Sequence, residues 1–194
     1  MEVIKIIEII CTICGLIQGL LILLKRKENW IFYLLNISTL IIYSFCAHLY
    51  GDVIENCIYL TIGIFGTFAW MNNKFAKRFN TEKIRHASKN ENIVFLLAIL
   101  ILSAITYCLI FNSNDPLPSM DSITTGMGFV ATFMMACKII ETWIVWFIDD
   151  ILMLCVYLSL PEPGYALAML NFVWIFMAIG SYISWKKEIE YEEV

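Results

Sequence analysis

Residues 141–160 read ETWIVWFIDDILMLCVYLSL, an apolar stretch of helix length that holds two adjacent carboxylates, Asp149 and Asp150. An acid in such a run is costly wherever its surroundings are apolar, so the medium around this segment decides the fold. The rest of the chain indicates that medium. Of 194 residues, 60% are hydrophobic and 15% charged, against about 25% charge in an ordinary soluble domain. The polar surface of a water-soluble fold is missing, and a mean hydropathy of +0.77 points to a membrane. A net charge of −4, with no basic cluster interleaved with aromatics, argues against a nucleic-acid partner.

Runs of about 18–22 mostly apolar residues are long enough to cross a bilayer as helices. Seven occur, at 3–24, 30–47, 53–71, 93–111, 123–140, 143–160 and 165–185. Turn residues and charge gather in the breaks: "KRKEN", "YGD", the long 72–92 stretch, "NSNDPLPSMDS" and "PEPG". The first run lacks the positively charged head and small-residue cleavage site of a secretory signal, so it reads as a helix. The expected fold is therefore an all-α polytopic membrane protein with seven transmembrane helices.

Basic residues set the orientation. Seven spans gather the loops after spans one, three and five, and the tail after span seven, on one side. That side holds twelve of the thirteen Lys and Arg residues, all but Lys5. The positive-inside rule then puts the N-terminus outside and the C-terminus in the cytoplasm of a cell inner (plasma) membrane protein.

A repeat lies inside the chain. Glu28, Trp30 and Ile31 match Glu141, Trp143 and Ile144 at an offset of 113, and Tyr33 faces Trp146. In the following span the offset becomes 115, pairing Asn56, Tyr59, Gly63 and Trp70 with Asn171, Trp174, Ala178 and Trp185. The expected organisation is one transmembrane transporter domain over 1–194: repeat one at 3–71, a linking helix at 93–111 and repeat two at 123–185. Three-plus-one-plus-three makes the two three-helix repeats parallel, as in SWEET-like transporters, where substrate sits near the midplane.

The polar residues within the spans suit that purpose. A helix advances about 100° per residue, which gathers Trp143, Trp146, Asp150 and Tyr157 into an arc of about 60°. Asp149 lies about 100° to one side, so the expectation separates it from the site. A charge at the centre of a span costs about 2.5–3.5 kcal/mol on insertion scales, which makes a lipid-facing Asp150 unfavourable. Asn56, Tyr59, Gly63, Gly66 and Trp70 share one face of span three, where the small residues are expected to leave space for a ligand between aromatic walls; Asn171, Trp174, Ala178 and Trp185 share one face of span seven. Flat aromatic faces beside amide and carboxylate acceptors suit a ligand with a planar ring and a hydroxylated part. A cationic ring would be attracted further. The expected substrate-binding residues are Trp143, Trp146, Asp150, Asn36, Asn56, Tyr59, Asn171 and Trp174. A simpler role also fits some of them: Trp30, Trp143 and Trp185 lie near span ends, as interfacial anchors do, and the asparagines could bond between helices.

Seven cysteines lie mostly in apolar runs, and Cys11 and Cys14 spell C-x-x-C without a redox-fold pattern around them. They read as small apolar filler, with no disulfide, metal or cofactor. An enzyme is disfavoured, since no H-E-x-x-H or Ser–His–Asp set appears and the two histidines fall at helix ends or loops. Apart from Glu8, Glu55, Asp149 and Asp150, no acid lies within the spans, so no chain of protonatable groups crosses the bilayer and passive transport is expected.

The segment MDSITTGMGFVATFMMACKIIETWIVWFIDDILMLCVY, 120–157, resembles the PnuC family of bacterial vitamin transporters. That family carries W-x-x-W in its sixth core helix with Asn or Asp four residues on; Trp143, Trp146 and Asp150 fit. Asp121, Thr125, Glu141, "ENWIFY", "LYGDVIENCIYLTIGIFGTFAW" and the closing "GSYISWKK" are similar too, so the resemblance covers nearly the whole chain. It implies a homotrimer that takes up nicotinamide riboside by facilitated diffusion, with a cytosolic kinase trapping the substrate by phosphorylation. The sequence departs from the family at Cys137, where a basic residue is common, at Thr142, where Asn is common, and at Gly66-Thr67, where Gly-Trp is frequent. Relatives on the same scaffold carry thiamine, riboflavin or deoxynucleosides, and a thiamine carrier is the alternative reading.

Overall fold

The computed structural model describes residues 2–46, 48, 50–112, 117–159 and 165–192, with side chains at all of these except 2–6, 8, 50, 166, 167 and 192. Among the described residues there are eight helices: α1 (Glu2–Leu23), α2 (Asn29–Cys46), α3 (Tyr50–Met71), α4 (Asn73–Phe79), α5 (Lys89–Ile110), α6 (Pro118–Ala136), α7 (Thr142–Ser159) and α8 (Tyr165–Glu192). No strand forms among them, and the sole β-type contact is an isolated bridge between Arg85 and Ile139. The side chains of Lys5 and Glu8 and the expected "PEPG" turn lie outside the described residues.

Seven of the eight helices fall on the seven apolar runs. Five of them, α2, α3, α5, α7 and α8, are long and apolar enough to cross a membrane by length and composition. Helix α5 shows why this medium must be lipid. Leu96, Leu100, Ile101, Ile105 and Leu109 are all exposed, Leu109 to 77%, which water would not tolerate over so large a patch. Helix α6 is the opposite case: its lower hydropathy goes with burial inside protein, nearly every residue from Gly126 to Ala136 being covered.

Local chemistry moves several helix ends from their expected places. Ser88 and Glu91 form a capping box, so α5 starts at Lys89 rather than at residue 93. Helix α4 was not expected, because its charges made the 72–92 stretch read as a loop. Asn72 caps it by accepting from the Phe75 N–H at 3.1 Å, and Asn80 in a left-handed conformation ends it. Phe75 and Phe79 meet Phe65 of α3 edge to face, while the basic residues face outward. Helix α8 runs seven residues past Trp185, supported by a Lys186–Glu190 pair one turn apart.

The chain divides into two compact units, Met1–Lys83 with Ala136–Lys138, and Ile84–Met135 with Ile139–Val194. In the first, α1 packs on α2, α2 on α3 and α3 on α4. Asn36 donates its amide to the Cys11 carbonyl at 2.6 Å, fastening α2 to α1. Gly63 and Gly66 of α3 have no room for a Cβ, because Tyr33 and Trp30 of α2 fill the space above them. In the second unit α7 packs on α8. Gly126 of α6 abuts Ser103, the one buried residue of α5, and Thr142 Oγ1 donates to the Ala131 carbonyl at 2.7 Å.

The offset of 113 recurs in the backbone. Lys25 and Lys138 both adopt φ 56°, an uncommon conformation for a residue with a Cβ. Each closes a helix C-terminus with the same long reach: Arg26 N to Leu21 O at 2.8 Å, Ile139 N to Met134 O at 2.9 Å. The next turn repeats as well, with Asn29, Trp30 and Ile31 bonding back three residues as Thr142, Trp143 and Ile144 do.

Candidate functional site

Helix α7 positions the central residues. Glu141 precedes it, accepting from the Ala87 N–H at 2.9 Å and pairing with His86 Nδ1 at 2.8 Å. This ties the segment before α5 to the start of α7 and fixes where the tryptophans emerge. Trp143 is 6% exposed and meets Trp185 of α8 edge to face, with centroids 5.3 Å apart. The first unit has the matching pair, Trp30 against Trp70 at 6.3 Å. Trp30 and Trp185 are both fully buried. Neither is an interfacial anchor, because each ring fills the space between its own helix and the neighbouring one.

Asp149 and Asp150 are 7% and 8% exposed, so neither side chain faces lipid. The 100° step between them separates their directions without exposing Asp149, since α7 is covered on more than one side. Asp149 Oδ1 is buried and accepts no hydrogen bond among the described residues. Trp146 is half-buried and has no ring partner among them. Asn171 and Trp174, on α8, are half-buried too.

The first unit uses its amides differently. Asn36 Nδ2 is engaged by Cys11, and Asn56 Nδ2 donates to the Asp52 carbonyl of its own helix at 2.7 Å. The Tyr59 carbonyl accepts from the Tyr33 hydroxyl at 3.4 Å. The room expected beside Gly63 and Gly66 for a ligand is taken by Tyr33 and Trp30. Glycine spacing in a sequence shows that something approaches closely, without showing whether it is cargo or a neighbouring helix.

A cavity of about 240 Å³ opens between α7 and α8, lined by Trp143, Ile144, Phe147, Ala178, Ile179, Tyr182 and Ile183. Ile144, Ile179 and Ile183 are also exposed on the outer surface of the unit. No carboxylate or amide lines it, and Trp146, Asp150, Asn171 and Trp174 lie elsewhere. It is an apolar surface groove, unsuited to a hydroxylated vitamin. No cluster of potential metal ligands occurs among the described residues.

Apolar helices exposed along their lengths, with Asp149, Asp150, Trp30, Trp143 and Trp185 withdrawn into the protein, mark a multi-pass membrane protein. The family described as "Nicotinamide mononucleotide transporter" matches residues 5–187. The chain belongs to this family, that of the PnuC transporters. It is 22% identical to the nicotinamide riboside transporter PnuC of Escherichia coli over 92% of this chain and 84% of that protein. It is 19% identical to the protein of the same name from Neisseria mucosa, over 85% of this chain and 66% of that one. The crystal structure titled "Crystal structure of the Vitamin B3 transporter PnuC" shares the fold, with a TM-score of 0.68 at 17% identity over 93% of this chain and 80% of that one.

Proposed function

We propose that this protein carries nicotinamide riboside into the cell by facilitated diffusion, as a uniporter whose substrate is trapped by a cytosolic kinase. Its relatives' names support that cargo, and one observation on this chain carries the choice of riboside over mononucleotide. Between Glu28 and Asn73, between Lys89 and Lys138, and between Lys138 and Lys186 the sequence has no Lys or Arg. Inside the seven runs the Lys and Arg residues are Lys5 and Lys138, each near an end of its run, so a phosphate at mid-span would meet no such cation, and phosphate recognition depends on such donors. The buried acids α7 does hold favour an unphosphorylated, positively charged cargo.

In this reading the helices are arranged as seven spans, three plus one plus three, with two parallel repeats, the N-terminus outside and the C-terminus cytoplasmic. Three copies assemble in the plasma membrane. Trp146 and Trp174 hold the planar ring, Asp150 and Asn171 hold its polar part, and Trp143, occupied by Trp185, serves as the wall behind them. From the first unit the same proposal takes Asn36, Asn56 and Tyr59.

The test is uptake of labelled nicotinamide riboside by purified protein in empty liposomes. Uptake should equilibrate with no sodium, proton or voltage gradient, and excess mononucleotide should compete poorly. Concentration above the outside level only under an imposed gradient would refute uniport. Competition by thiamine but not by the riboside would transfer the protein to thiamine transport.

A further inference from the structure

We infer that Asp149 is a charge-selecting residue of the transport site, holding the positive charge of the cargo alongside Asp150. The inference rests on the proposed cargo, whose pyridinium ring bears a fixed positive charge. Asp149 is 93% buried, and its Oδ1 has no hydrogen-bond partner among the described residues. A buried carboxylate left without donor or counter-charge is strongly disfavoured, so one used only for packing between helices would be expected to show its partner. Asp149 shows none.

Among the described residues of its own unit, the helices offer Asp149 no internal counter-ion. Helix α7 has no Lys, Arg or His, and neither has α6; those of α8 begin only at Lys186, and α5 has only Lys89 at its start. What does surround Asp149 is of its own sign. Asp150 is adjacent in the chain and likewise buried. Two adjacent buried acids make an environment in which a neutral guest gains little and an organic cation gains from each. A single acid could serve as a hydrogen-bond acceptor for a hydroxyl. A second acid beside it, with an unused oxygen and no basic residue on its own helix, adds charge selection.

The experiment compares two probes of nearly the same shape on purified full-length protein: nicotinamide riboside, which is cationic, and its reduced dihydropyridine form, which is uncharged. The wild type should prefer the cation. Asp149→Asn removes the charge while keeping the shape, and should lower the cation-over-neutral preference about tenfold or more. Asp149→Glu should retain most of it. If Asp149→Asn does not elute as folded protein, Asp149→Ser gives the same reading. An unchanged preference in the neutral variant overturns the inference and leaves the cargo standing. A wild type that binds neither probe overturns the cargo itself, and this inference with it.

Discussion

Replacing Asp150 by Ala separates a site residue from a structural one by moving binding and stability in different directions. The side chain is 8% exposed in the middle of α7, with no basic residue on that helix. Losing a hydrogen bond to a charged group costs about 1.5–3 kcal/mol, and about 1.4 kcal/mol is tenfold in affinity. Asp150→Ala should therefore weaken binding of nicotinamide riboside by roughly ten- to a hundredfold. The same change relieves the chain of a buried acid with no basic residue on its own helix, so the midpoint of thermal unfolding in detergent should stay level or rise. The assay pairs a binding titration with a melting curve on the same preparation, with elution as an intact oligomer as the control. Wild-type affinity in the variant would refute the assignment. A binding loss accompanied by a comparable drop in melting temperature would mean that Asp150 holds the fold together instead.

Trp146→Ala should weaken binding by a similar factor through lost stacking, and an unchanged affinity would place the ring elsewhere. Gly66→Ala pushes a methyl into the Trp30 ring and should destabilise the protein by about 1–3 kcal/mol; trimming Trp30 to Leu in the same chain should recover part of that loss in a thermal unfolding curve. A reporter active only outside the cytoplasm, fused after the last residue, should stay silent, and a bright signal would overturn the orientation drawn from the basic residues.

What could be read from the sequence and what could not follow different physics. The seven apolar runs lie on helices because lipid offers no partner to a backbone N–H, so a crossing segment must satisfy its own hydrogen bonds, and only a long apolar stretch can do so as a helix. The offset of 113 was equally legible. The residues that build the turn into α2 and α7 recur in order, and the left-handed Lys25 and Lys138 precede them at the same offset, although lysine itself gives no hint of that conformation. Helix α4 escaped notice because its charges resemble those of a loop and its support comes from Phe65, on the preceding helix.

Tertiary structure alone decided which apolar and polar residues face one another. Trp185 lies at the end of its run, as an anchor would, yet is buried because Trp143 of another helix closes over it. Gly63 and Gly66 looked like space for cargo and are space for Tyr33 and Trp30. Helical direction separated Asp149 from Asp150 by a single step, but burial depends on how many neighbours surround α7, and they cover both acids. Periodicity within one helix fixes the direction in which a side chain points; what stands there depends on packing between segments distant in sequence.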